Sequence, residues 1–402
     1  MVSLAWILGL GLFASRVVAR AAHIPDLVLF VLIGVALGPQ VLNVVHLPAT
    51  GDVGQLIVTG GAVFMLYEGG RAIDVGMLRR IWLGTSLLAT LGVVLTAGVV
   101  GAAAHFFVHL SWPVSFLAGA AIASTDPATI VPLFMQVRVK AKVQQLVVSE
   151  SAFSDATGAV LTLTLSTLVA GHQLGALAIG GDFLRMIAVG VAVGVGVGFV
   201  IQVLDAEEHR FAIFDRQEEN VVATLLAMLA AFIVSTDLGG SGFMAVFIAG
   251  MIRGNASVWN LGVRREREES HETFLSMLAT TVRMLIFAVL GANVNLGLVA
   301  TLGLGGLAVI GVLLFVARPI AIFSCLPLDR IAKWSLKDML FTSWVRETGV
   351  VPAALASLLL AARAPGAPHV AALIFLAVLA TILLQGPTTA AWARRTGMEA
   401  AP

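Results

Sequence analysis

Charge is what this chain lacks most. Acidic and basic residues fill only 12% of its 402 positions, against about 25% in soluble domains, which excludes an ordinary water-soluble fold. The 24 Lys and Arg nearly balance the 23 Asp and Glu, so there is no basic surplus to recruit nucleic acid and no acidic surplus to recruit a basic partner. Cysteine is almost absent. Cys325 stands alone, which excludes an internal disulfide and any metal site built on paired thiolates. Three motifs are missing as well: a Gly-rich phosphate loop with Lys, an HExxH helix and a GxSxG elbow. Neither ATP-driven pumping nor an intramembrane enzyme finds support, and no cofactor is implied. No linker is long enough to separate soluble domains, so residues 1–402 read as one membrane domain.

What the chain has is apolar length. With 59% hydrophobic residues and a mean hydropathy of +0.98, it reads as an all-α integral membrane protein. At about 20 residues per span, roughly thirteen transmembrane helices fit. They are expected near 3–20, 26–44, 53–70, 81–106, 112–137, 142–170, 183–204, 220–237, 241–257, 273–291, 297–323, 336–361 and 369–391. The second is doubtful as a straight helix, because Pro25, Gly34, Gly38 and Pro39 lie in or beside it. The first run resembles a signal peptide at Ala19-Arg20-Ala21. Its basic residues, Arg16 and Arg20, follow the apolar stretch instead of preceding it, so it is expected to be a retained crossing.

The loops test this count, since cytoplasmic loops collect Lys and Arg. Alternate loops do so: Arg16/Arg20, Arg71/Arg79/Arg80, Arg138/Lys140/Lys142, Arg210/Arg216, Arg253/Arg264/Arg265/Arg267, Arg330/Lys333/Lys337 and the tail Arg394/Arg395. The opposite loops hold only Arg185 and Arg363. The alternation predicts a multi-pass protein of the inner or plasma membrane, with its N-terminus outside and its C-terminus in the cytoplasm. The mixed-charge stretches 205–219 and 264–272 read as solvated cytoplasmic loops. Glycines 190, 194, 196 and 198 suggest close helix packing. His105 and His109, one turn apart, read as interfacial histidines ahead of a metal site.

Ser124 to Asp155 places three carboxylates in this apolar setting. Proline removes a backbone donor, so Asp126-Pro127 should unwind the fifth crossing. The next crossing carries Glu150 with Ser154, and Ser151 with Asp155, each pair one turn apart, forming an oxygen-bearing face. A carboxylate at that depth is a functional hypothesis by default. In a dry cleft Asp155 can hold a proton or a dehydrated monovalent cation, hardly both, and that exclusion couples opposite fluxes. Freed carbonyls near Thr125, the Thr125 and Ser151 hydroxyls and Asp155 suit a hard cation. Asp126 reads equally as a ligand or as a charge set against a half-helix N-terminus, with a basic residue at a C-terminus. Arg283, Arg318 and Arg346 lie inside expected helices and need partners; Glu150 is the natural one, Arg318 and Arg346 the main candidates. Glu68 either lines an entry path or pairs with Arg71.

The twelfth crossing is interrupted too, by Arg346-Glu347-Thr348-Gly349 and Pro352. It lies seven crossings after the fifth and so runs the opposite way. Two such interruptions point to an inverted-repeat transporter with its site near mid-membrane. The repeats are expected at 1–171 and 220–393, with 172–219 as the linker helix and loop.

These residues resemble the monovalent cation/proton antiporters of the bacterial NhaP and eukaryotic sodium/proton exchanger type. The resemblance runs over nearly the whole chain and rests on Ser124-Thr125-Asp126-Pro127, Glu150-Ser151 to Asp155, Ala317-Arg318, and Trp344-Val345-Arg346 through Gly349; Tyr67-Glu68-Gly69 is similar more weakly. It implies two discontinuous, crossing helices, a homodimer in the lipid bilayer, and a mobile six-helix core. It implies that Asp155 carries the ion and the proton, that Ser151 and the Thr125 region add ligands, that Glu150 pairs with Arg318, that Arg346 lies near the crossing, and that Glu68 lies near the ion path. The implied partners are Na+, with Li+ or K+ as alternatives, and H+. Ser154 departs from the usual Asn before the Asp. One titratable group remains there, which favours electroneutral exchange. Glu347-Thr348 departs as well. A cation channel or gated K+ efflux pathway on the same scaffold is the competing class.

Overall fold

An apolar chain can satisfy its backbone inside a bilayer only as helix or closed barrel, and this one takes the first solution. The computed structural model describes residues 2–13, 26–126, 134, 139–171, 176–211, 217–259 and 265–398, and among them there are helices and no strand. In chain order they are α1 (Val2–Phe13), α2 (Asp26–Leu37), α3 (52–71), α4 (Val75–Val108), α5 (Trp112–Ile122), α6 (Ala141–Val169) and α7 (Ala176–Phe211). There follow α8 (Gln217–Asp237), α9 (Gly242–Gly254), α10 (Arg265–Asn293), α11 (296–325), α12 (Leu336–Trp344), α13 (Val350–Ala361) and α14 (Ala367–Thr396). Six of the described helical stretches are long and apolar enough to span a bilayer, and shorter apolar helices join them.

Several boundaries differ from the sequence expectation for identifiable reasons. The second crossing ends at Leu37 instead of reaching 44, because Gly38 and Pro39 follow. The N–H groups of Val41, Leu42 and Asn43 turn back onto the carbonyls of Ala36 and Gly38. The mixed-charge stretches are not wholly loops: α7 runs on to Phe211 and α10 starts at Arg265. Glu, Arg and Gln are good helix formers, so a helix that leaves the apolar layer need not stop there. Arg16 and Arg20, the rest of the first crossing beyond Phe13, and Pro127 with most of the second half of the fifth crossing lie outside the described residues.

Helix contacts that bring backbones together hold much of the structure. A Cβ at Gly34 would lie 2.1 Å from the Ala288 carbonyl oxygen of α10, and one at Gly291 would lie 2.1 Å from that of Val31 in α2. The same reciprocity joins α3 to α9: Gly70 abuts the Phe247 carbonyl and Gly250 the Tyr67 carbonyl. Small residues permit this approach, and van der Waals contact rewards it. Gly190, Gly194 and Gly198 press α7 onto α9, whereas Gly196 faces open space, so the packing expected of that stripe holds at three positions and fails at the fourth.

Among the described residues three wide π turns interrupt the helical ladders, at Leu56–Gly60 in α3, Leu88–Gly92 in α4 and Leu313–Ala317 in α11. Such a turn leaves a carbonyl without its usual partner and re-aims the residues after it. In α4 the Ala89 carbonyl accepts the Thr157 hydroxyl of α6 at 2.5 Å. In α11 the turn delivers Arg318 to the interior. His105, at the end of α4, stacks on Trp112 at 3.9 Å and meets the Leu110 carbonyl at 2.7 Å through Nδ1.

Candidate functional site

The site grows from two helix ends. Helix α5 stops at Ile122, and α12 stops at Trp344 with α13 resuming at Val350. Each end leaves backbone groups without intrahelical partners and a partial charge, positive at an N-terminus and negative at a C-terminus. A side chain from beyond each end answers the other. Asp126 Oδ2 accepts from the Val350 N–H at 3.1 Å, at the start of α13. Arg346 Nη2 donates to the carbonyls of Ile122 at 2.7 Å and Ser124 at 3.5 Å, at the end of α5. The backbones also touch, the Asp126 N–H donating to the Glu347 carbonyl at 2.8 Å. Gly349 is required here, since a Cβ would fall 2.0 Å from Asp126 Oδ2. The Asp126 carboxylate thus sits at the N-terminus of α13.

Helix α6 lies against the non-helical residues that follow α5 and supplies hydroxyls to them. Ser151 Oγ donates to the Thr125 carbonyl, so that carbonyl is engaged and not simply freed by the unwinding. Ser154 Oγ lies 3.1 Å from Thr125 Oγ1, accepts from the Thr125 N–H at 3.3 Å and donates to the Ser151 carbonyl at 2.9 Å. Thr125, Ser151 and Ser154 therefore form one closed lattice.

Asp155 adjoins this lattice with different bonding. Its Oδ1 is buried and has no hydrogen-bond partner among the described residues, although the residue as a whole is partly exposed. Ser124 and Asp126 are its polar neighbours. Ser124 Oγ, also buried, faces the Asp155 carboxylate.

Glu150, five residues earlier on the same helix, is fully committed. Arg318 Nη1 donates to its Oε1 at 2.8 Å and Nη2 to its Oε2 at 2.9 Å, with both side chains 4% exposed. This fork-on-fork geometry is the strongest form of the pair. Arg318 also reaches the Thr342 carbonyl at 3.3 Å from Nε and the Val345 carbonyl at 3.5 Å from Nη2, so the pair braces the end of α12. Neither Arg346 nor Arg283 takes that place.

Glu68 meets Arg71 at 2.8 Å near the end of α3, and both side chains are partly exposed. Gly69 of the same turn faces Ala152 of α6, a Cβ there lying 3.6 Å from the alanine's. Sequence reasoning missed Thr381 and Gln385 of α14. Thr381 Oγ1 accepts from the Thr348 N–H at 3.0 Å, and Gln385 Nε2 donates to the Trp344 carbonyl at 2.5 Å. With Thr389 they form a buried i, i+4, i+8 stripe, and that spacing was the available signal.

A helical membrane protein in which the end of one helix and the break between two others neutralise one another beside an acid and a set of hydroxyls is defined by these observations. The profile of the sodium/hydrogen exchanger transmembrane family matches residues 6–395. The chain belongs to the sodium/hydrogen exchanger family. It is similar to a protein named K(+)/H(+) antiporter NhaP from Alkalimonas amylolytica, 30% identical over 96% of this chain and 64% of that protein. It is equally similar to Na(+)/H(+) antiporter 1 of Methanocaldococcus jannaschii, 30% identical over 87% of this chain and 81% of the relative. The chain thus spans just under two thirds of the first relative's length. A solved structure of the sodium proton antiporter MjNhaP1 from Methanocaldococcus jannaschii superposes with a TM-score of 0.83 at 25% identity, covering 98% of this chain and 97% of that one.

Proposed function

We propose that the protein is a secondary antiporter that exchanges a monovalent cation for a proton at Asp155 by alternating access. Sodium is the first candidate, potassium and lithium the alternatives. The observation that carries this reading is the contrast on α6. Glu150 is neutralised by a bidentate arginine, whereas Asp155 keeps a buried oxygen without a partner among the described residues, beside hydroxyl and carbonyl oxygens. A hard cation takes oxygen ligands, and a proton on the same carboxylate removes the charge that attracts it. One passenger excludes the other.

Supporting this assignment, relatives over most of the chain carry names of Na(+)/H(+) and K(+)/H(+) antiporters. In this reading Ser151, Thr125 and Ser154 supply neutral oxygens, Asp126 and Arg346 hold the crossing of two discontinuous helices, and Glu68 lies by the entry path. The chain crosses the plasma membrane about thirteen times, with its N-terminus outside, its C-terminus inside, and repeats at 1–171 and 220–393 about the linker 172–219. It works as a homodimer. The single acid of the Ser154-Asp155 pair makes exchange one for one.

The test is counterflow in proteoliposomes. An outward sodium gradient imposed at zero membrane potential should drive proton uptake that follows the sodium concentration. Cation flux without proton movement would replace this reading by a channel.

A further inference from the structure

We infer that Ser124 contacts the exchanged cation directly, and that its hydroxyl oxygen favours smaller monovalent ions over larger ones. The inference rests on exchange at Asp155 as proposed above.

Four hydroxyls stand near that acid, and three of them are engaged with one another. Ser151 Oγ donates to the Thr125 carbonyl. Ser154 Oγ donates to the Ser151 carbonyl at 2.9 Å, accepts from the Thr125 N–H at 3.3 Å and lies 3.1 Å from Thr125 Oγ1. The fourth, Ser124 Oγ, is buried and faces the Asp155 carboxylate instead.

The surroundings hold this hydroxyl in place. Ser124 is fully buried in the non-helical residues that follow α5. Arg346 Nη2 reaches its carbonyl at 3.5 Å, and the N–H of the next residue is tied to Ser154. On the α6 side Gly158, one turn beyond Asp155, leaves room for it, since a Cβ there would lie 3.2 Å from Ser124 Cβ. Held from both sides, the residue can turn little more than its hydroxyl hydrogen. That one freedom suits two passengers. A serine hydroxyl carries one donor and two acceptor sites, so it donates to the bare carboxylate and, turned about, offers a lone pair to a cation seated there.

Size preference follows from distance. Attraction between an ion and an oxygen grows as their separation shrinks, so a small ion gains more from each added oxygen than a large one. It also loses more when that oxygen is removed.

The test compares Ser124→Ala, which deletes the oxygen, with Ser124→Cys, which fills the space with a sulfur unsuited to a hard cation. Proton flux driven by lithium, sodium, potassium and rubidium is followed in proteoliposomes. In both variants the half-saturation for the smallest ion exchanged should rise about tenfold and that for each larger ion by less, with the thermal unfolding midpoint close to that of the wild type. An unchanged half-saturation in Ser124→Ala overturns the inference. Recovery in Ser124→Cys overturns it too, by assigning Ser124 to packing. An equal factor for every ion does the same, because a change that acts only through competition with the proton multiplies each half-saturation alike. Should Ser124→Ala fail to fold, Ser124→Cys is read by the same ratio. A wild type without cation-driven proton flux overturns the exchange reading and this inference with it; every other outcome arises in a protein that exchanges, and so bears on Ser124 alone.

Discussion

Glu150 and Asp155 share a helix, a chemistry and a depth, yet they end in opposite states. Glu150 receives both arms of Arg318, and Asp155 keeps Oδ1 without a partner among the described residues. The difference lies in what packs against each face of α6. At Glu150 the π turn of α11 brings a guanidinium inward, and at Asp155 the unwound end of α5 brings only hydroxyls and the capping Asp126. A buried acid becomes a fastener when a base is delivered to it and a working group when one is withheld.

The most direct way to break this contrast is Asp155→Asn, which keeps the size and removes the charge. Cation-driven proton flux in proteoliposomes should fall to that of empty vesicles, while the size-exclusion profile stays that of the wild type. Next comes Glu150→Gln, which leaves Arg318 buried without its counter-charge. It should lower stability by about 3–5 kcal/mol, read as a drop in thermal unfolding midpoint, and Glu150→Leu/Arg318→Met should recover most of the loss. Gly349→Ala would force a Cβ against Asp126 Oδ2. It should cost about 1–3 kcal/mol and slow exchange more than it weakens cation affinity, seen as a fall in maximal rate with little change in half-saturation.

Smaller effects sharpen the comparison. Thr381→Val keeps shape but removes the acceptor for the Thr348 N–H, and about 1 kcal/mol or more of stability should go with it. Glu68→Gln breaks a partly exposed pair with Arg71, worth about 0–1 kcal/mol. It should leave the unfolding midpoint nearly unchanged and alter only the half-saturation for the cation.

The sequence made some of this legible and concealed the rest. Three acids between Ser124 and Asp155 stood out because ionisable groups are rare in apolar runs, and the one-turn spacing of Ser151 and Asp155 placed them on one face. Which arginine meets Glu150 could not be read from residue spacing, since the answer depends on a π turn at 313–317. Gln385 and Thr381 passed unnoticed because isolated neutral polar residues on a long apolar helix commonly bond their own backbone, as Thr381 also does to Ala377 at 2.8 Å. The charged stretches beyond 205 and before 273 misled in the other direction. A membrane-spanning helix ends where its hydrogen-bond ladder ends, and good helix formers extend it into water.

The glycine contacts of α2 with α10 and of α3 with α9 have a mechanical corollary. Where one backbone rests on another at the distance only a missing side chain allows, neither can glide along or roll over its mate without colliding. Those four helices behave as welded couples. If exchange at Asp155 proceeds as proposed, the displacement that carries the acid of α6 between compartments would take place along surfaces where side chains, and not main chains, meet.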